Sequence, residues 1–260
     1  MAYETLIYEV KDDVAFVQLN RPQSMNALEE KLVEELKHVT DLIEKDRDIG
    51  AVVITGSGKA FCAGGDLLRL QNGFTSLEGY DYIAEFHPWI IKLSNLDKPV
   101  IAAVNGFAVG AGFCIALISD IILASEEAVF SQSFVNVGLV PDLAGMYFLP
   151  RIVGLQKAKE LVLTGEKISA EKAKELGIVN HVYPKDQLLE EAETIARKLA
   201  KGPRVAHRLS KQVMNQSLSL SLEEFLPLEA SSQSLCFQTE DHKEAVKAFF
   251  DKRKATFKGN

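Results

Sequence analysis

The sequence predicts an α/β protein: a right-handed spiral of strand–strand–helix (ββα) repeats that ends in a helical C-terminal region. Three observations carry this. Short apolar runs at 51–55 and 100–104 are bounded by glycine, proline or asparagine, the mark of buried strands. A unit of strand, short extended piece and helix recurs, with Phe61-Cys-Ala-Gly-Gly65 lining up against Phe107-Ala-Val-Gly-Ala111. Beyond Pro141 the pattern turns largely helical.

In chain order, 5–10 and 14–20 alternate around Lys11-Asp12-Asp13 and read as a hairpin, which Arg21-Pro22 ends. Residues 29–45 place Leu32, Val33, Leu36, Val39, Leu42 and Ile43 at helical spacing. The buried strand at 51–55 turns at Gly56-Ser57-Gly58, and 61–63 forms a short second strand. Gly64-Gly65-Asp66 starts a helix. Residues 73–79 carry turn signals and read as a loop. Residues 80–96 read as helix despite Pro88. The strand at 100–104, the short strand at 107–109 and an apolar helix to about Ser119 repeat the unit. Strands at 121–124 and 129–131 begin it again. Helices are predicted near 143–152, 155–163, 169–176, 186–201, 204–217, 221–237 and 240–254. A core of residues 1–200 and a C-terminal helical part, 201–260, follow from this division.

Composition narrows the function. The net charge is −7, which argues against nucleic-acid binding. The three cysteines, Cys62, Cys114 and Cys236, are unclustered and fit neither a disulfide framework nor a zinc site. No apolar run is long enough to span a bilayer and the first residues lack a signal-peptide core, so a soluble cytoplasmic protein is expected. Two nucleotide motifs fail on inspection. Ile115 replaces the third glycine of a dinucleotide fingerprint that would begin at Gly110. Val53 and Ala60 break a phosphate loop around Gly56-Ser-Gly-Lys59. The basic C-terminal end reads as a solvated helix terminus.

The chemistry lies in the backbone. From Lys98 to Ser119 no side chain after the first carries charge, but Gly110-Ala111-Gly112 opens a helix. The first amides of a helix have no internal partner and sit at the positive end of its dipole. If the repeats stack, the amides of Gly65 and Ala111 hold equivalent places in adjacent turns. Two such amides converging on one point form an oxyanion hole.

At these residues the chain resembles the enoyl-CoA hydratase/isomerase (crotonase) superfamily. The likeness runs through Leu19-Asn-Arg-Pro22, Met25-Asn-Ala-Leu28, Phe61-Cys-Ala-Gly-Gly-Asp66, Lys98-Pro-Val-Ile-Ala-Ala-Val-Asn-Gly106, Ser119-Asp-Ile-Ile-Leu-Ala124, Leu163-Thr-Gly-Glu166 and Ala173-Lys-Glu-Leu-Gly-Ile-Val179. The resemblance implies a crotonase-like ββα spiral with a C-terminal trimerisation region, assembling as a trimer or a dimer of trimers. It implies an acyl-CoA thioester substrate, no separate cofactor and no metal, and an enolate held by the amides of Gly65 and Ala111. Ala63, Gly65, Asp66, Leu67, Ala111 and Phe134 are the implied substrate contacts.

One departure is informative. Hydratases of this family carry two glutamates, at the positions of Cys114 and Phe134 here, and neither residue can activate water. The double-bond isomerases, including those of phenylacetate catabolism, instead place one carboxylate in the loop matched by Gly138-Leu-Val-Pro-Asp142. Asp142 is therefore the candidate acid/base of a Δ3-to-Δ2 enoyl-CoA isomerase, with Phe134 shaping the acyl pocket. The plain alternative for Asp142 is a helix cap. Asp66 and Asp120 read as caps or structural acceptors, and Cys114 as a small core residue. Two rivals stand beside the isomerase: a hydratase or other enolate-forming member, and a non-catalytic acyl-CoA-binding protein.

Overall fold

The computed structural model describes residues 3–71 and 73–260. Strands β1 (Leu6–Lys11) and β2 (Val14–Leu19) form the expected hairpin. Its turn works because Asp12 and Asp13 both accept left-handed backbone, at φ 51° and 63°. Helix α1 (Glu30–Lys45) follows, then β3 (Ala51–Gly56), β4 (Ala60–Cys62) and the short α2 (Leu67–Leu70). Next come α3 (Ser76–Ala84), α4 (His87–Ser94), β5 (Val100–Val104), β6 (Phe107–Val109) and α5 (Ala111–Ile118). Strands β7 (Ile121–Ser125) and β8 (Val129–Ser131) begin the next turn of the spiral. Helices α6 (Gly145–Val153) and α7 (Leu155–Thr164), β9 (Ile168–Ser169), α8 (Ala170–Glu175) and β10 (His181–Tyr183) complete it. The remainder is helical: α9 (Leu188–Ala200), α10 (Arg204–Gln216), α11 (Leu222–Phe237) and α12 (Glu240–Phe250).

The first strand of each unit joins one sheet and the second joins another. The six-stranded sheet runs β1-β2-β3-β5-β7-β10, and the four-stranded sheet runs β4-β6-β8-β9. Pairing is parallel from β2 through β10 in the first sheet, and from β4 through β8 in the second. Central parallel strands are covered on both faces, which is why β3 and β5 are apolar runs without alternation. One face, with Val53, Ile101 and Leu123, packs on Leu188, Ala192, Ala196 and Ala200 of α9. The other, with Val52, Ile54, Ala102 and Val104, faces the main core, where all eight residues of α5 are buried.

Four details depart from the sequence reading. The helix expected at 80–96 is two helices, because Pro88 sits in the first turn of α4, where its missing N–H costs nothing. The loop expected at 73–79 already contains the start of α3. Thr75 and Glu78 cap each other reciprocally there. The helix starting at Gly64-Gly65-Asp66 is a single turn. Strands β9 and β10 are too short to announce themselves in sequence and exist because β8 and β7 offer free edges.

A charged pair ties the tail to the core. Asp120, just after α5, accepts from the Val100 amide at 2.7 Å and from Lys211 of α10 at 2.7 Å. The structural reading of Asp120 holds.

Candidate active site

The repeat aligns as its sequence suggested. β4 and β6 pair in parallel, Ala60 opposite Phe107 and Cys62 opposite Ala108, with a bulge between Ala60 and Cys62. Past the bulge the offset, Cys62 to Ala108, is the one by which the two segments line up in sequence.

Glycines let the two turns meet. Gly64 has φ 96°, and a Cβ built on it would stand 2.8 Å from the Val109 carbonyl oxygen and 3.3 Å from the Ala111 amide nitrogen. A Cβ on Gly112 would stand 2.1 Å from the Cys62 carbonyl oxygen, so only glycine allows α5 to press on the end of β4. The residue before Gly65 thus lies against the start of α5. Among the described residues neither the Gly65 amide nor the Ala111 amide donates to a protein acceptor. Gly65 is exposed, with no atom within 4 Å of a built Cβ, whereas Ala111 is buried at the first position of α5.

A part of this site that sequence reasoning did not assign a role is Asn26. Met25 and Asn26 are left-handed, at φ 50° and 57°. The fully buried Asn26 amide donates to the Ala60 and Phe61 carbonyls at 2.8 and 3.2 Å, while its oxygen accepts from Arg21 N. The Ala63 amide donates to Met25, and Leu28 bridges Gly65. This clamp holds the Ala63–Gly65 backbone. The signals for Asn26 in the sequence were its place in the Met25-Asn-Ala-Leu28 motif and an asparagine in a turn, where left-handed φ is tolerated.

Asp66 caps α2: its Oδ1 accepts from the Leu68 amide at 3.0 Å and its Oδ2 lies 3.9 Å from Arg21. Leu67 is exposed beside it. Phe134 is buried, its ring edge 3.7 Å from where a Cβ on Gly110 would stand. It therefore lies against the residue preceding Ala111. Cys114 is fully buried. Its Sγ is 3.7 Å from the Gln132 side chain, and burial, then the nearby Asp142 charge, push its thiol well up. That is the environment of an inert structural cysteine.

Asp142 is where the electrostatics concentrate. It lies on the loop between the 3-10 turn Ser133–Val137 and α6. Its Oδ1 is buried without a hydrogen-bond partner. Burial, against its own backbone amide, raises its carboxyl to about 6. Its charge is felt by Cys114 on α5 and by Tyr82 on α3, whose phenol is raised by burial first and by Asp142 second. Tyr82 stacks on Phe74 at 5.3 Å with Arg69 over both rings. Sequence reasoning missed Tyr82, because nothing local links residues sixty apart. The residue at the start of α6 is Ala144, with no side-chain cap, so Asp142 does not cap that helix. Among the described residues no cluster of His, Cys, Asp or Glu could hold a metal ion. Among the described residues no helix is long and apolar enough to cross a membrane.

Comparison with known proteins agrees with this architecture. The sequence pattern described as enoyl-CoA hydratase/isomerase matches residues 9–260. A probable enoyl-CoA hydratase of Rhizobium meliloti is 42% identical over 99% of both chains. A crotonyl-CoA hydratase of Syntrophomonas wolfei is 38% identical, again over 99% of both. The crystal structure of an enoyl-CoA hydratase/isomerase from Cupriavidus metallidurans superposes with a TM-score of 0.93 at 37% identity, covering 100% of this chain and 98% of that one. An enoyl-CoA hydratase subunit from Geobacillus kaustophilus gives 0.94 at 34%, covering 99% of each. With a ββα spiral whose Gly64 and Ala111 meet at the strand–helix junctions, and a match along nearly its whole length, the chain belongs to the enoyl-CoA hydratase/isomerase (crotonase) superfamily of enzymes.

Proposed function

We propose that the protein is an acyl-CoA isomerase that moves a carbon–carbon double bond from the 3 to the 2 position. The observation that carries this reading is the buried, partnerless carboxylate oxygen of Asp142. The thioester oxygen is taken by the amides of Gly65 and Ala111. One such donor is typically worth about 2.7–4 kcal/mol as charge develops on the oxygen. That stabilisation acidifies C2. Asp142 removes a C2 proton, the electrons delocalise as a dienolate, and the protonated Asp142 returns the proton to C4. One carboxylate suffices because the same group is base and then acid. A value of about 6 suits both halves: the group is ionised at neutral pH yet gives its proton back readily. Ala63, Asp66 and Leu67 border the thioester by their backbone, and Phe134 shapes the acyl compartment.

A second reading has its own support. The relatives from Rhizobium meliloti and Syntrophomonas wolfei are named hydratases. Against it stand Cys114 and Phe134, buried and without acid–base capacity where two glutamates are expected of a hydratase. Incubation with 3-enoyl-CoA and 2-enoyl-CoA side by side separates the readings. A double-bond shift without water addition supports the isomerase. Hydration alone supports the hydratase. CoA binding with neither reaction supports a non-catalytic protein.

Residues 201–260 form the oligomerisation part in this reading, and the assembly is a trimer or a dimer of trimers. Helix α11 buries none of its residues within one chain and leaves Leu222, Leu226, Leu235 and Phe237 exposed. The free cysteines fit a cytoplasmic setting.

A further inference from the structure

The backbone next to Asp142 is unusual. Leu143 and Ala144 are both left-handed, at φ 42° and 59°, and the Gly145 amide closes the turn on the Asp142 carbonyl at 2.8 Å. This is the geometry of a mirror-image tight turn, which asparagine and glycine fill readily. A branched aliphatic residue at positive φ is an outlier that persists only where its surroundings over-determine it. Two contacts do so. The Leu143 side chain is 3% exposed within the main core. On the far side, a Cβ on Gly145 would stand 2.5 Å from Cys114 Sγ, so the turn is seated on α5, three residues beyond Ala111.

We propose that Leu143 is a positioning residue: its anchored side chain forces the left-handed turn that holds the Asp142 carboxylate in its dry place against α5. The inference rests on Asp142 being the acid/base. Core burial of Leu143 opposes the turn's preference to unwind, and Gly145 against Cys114 fixes its depth. The carboxylate is thereby kept from swinging to water, where it would be hydrated and hydrogen-bonded. The titratable groups that face it are Tyr82 from α3 and Cys114 from α5, both neutral at working pH; among the described residues no cation registers on it.

Leu143→Val tests this. It removes one methylene, so the core stays nearly filled, but its β-branch opposes positive φ. The turn should rearrange and release the carboxylate. The expected result is a fall in kcat of at least tenfold per folded chain, with KM within about twofold. The acid limb of the rate profile should drop below its wild-type midpoint as Asp142 gains solvent. Leu143→Met, unbranched and of similar volume, should keep both at the wild-type values. Leu143→Ala, which removes the anchor, should show the same shift as Leu143→Val. Wild-type kcat and an unmoved acid limb in folded Leu143→Val or Leu143→Ala would overturn the proposal, since lost packing alone lowers stability without moving that limb. Asp142→Asn is the control. If it retains turnover, the acid/base assignment itself fails. If it is inactive while Leu143→Val keeps the wild-type profile, only the positioning role fails.

Discussion

Asp142→Asn should make the protein less active and more stable. The carboxyl rises from an ordinary 3.8 to about 6 because burial penalises its charged form. Each pH unit is worth 1.36 kcal/mol, so the ionised group costs the folded state about 3 kcal/mol, as an upper figure. The sign follows from proton counts. Between about 4 and 6 the folded chain binds the proton and the unfolded chain does not, so stability falls as pH rises through that window. Above about 6 the whole cost is present. Asparagine matches the shape and carries no charge. The variant should therefore gain about 2–3 kcal/mol at pH 8 and nothing near pH 4. Denaturant unfolding at the two pH values measures the difference. At pH 8 turnover on 3-enoyl-CoA should drop about 100-fold or more, the scale of a general base. In the wild type, turnover should fall as pH drops below about 6, where the base becomes protonated. Opposite changes in stability and activity distinguish a functional carboxylate from a cap, whose replacement by asparagine is nearly neutral in both. Wild-type turnover would remove Asp142 as the base, and an equal stability change at both pH values would show that its charge carries no cost in the folded chain.

Ala111→Pro removes one of the two amides at the first position of α5, where a helix accepts proline; circular dichroism should report a folded chain and kinetics a 10²–10³-fold loss in kcat, and full activity would remove Ala111 from the hole. Glutamate at both 114 and 134 restores the hydratase pair only on paper, because Gly145 and Gln132 already press on Cys114 Sγ; poor folding and no water addition are expected, and efficient hydration by a stable double variant would show that the site is more plastic than its packing. Sedimentation should give a multiple of three chains, and a stable monomer at micromolar concentration would contradict the role assigned to α11. Asp120→Ala leaves the largely buried Lys211 ammonium without its partner at a part-buried pair; losing such a charged hydrogen bond typically costs about 1–3 kcal/mol, which thermal unfolding would detect, and an unchanged midpoint would make the tie between α10 and the core dispensable.

The sequence by itself determined the spiral, since buried parallel strands must be apolar on both faces and need glycine or proline to end them. It also singled out Gly65 and Ala111 for the proposed oxyanion hole, because a site made of backbone leaves its trace as small residues at strand–helix junctions. It named Asp142 only through resemblance, for an aspartate after proline reads equally as a cap. Tertiary structure decided the rest. The burial that raises Asp142, the Asn26 clamp on β4, the Asp120–Lys211 pair and the left-handed Leu143 all depend on groups that meet only after the turns stack. A carboxylate's proton affinity is set by the solvent it loses and the partners it gains, and neither is written in the residues beside it.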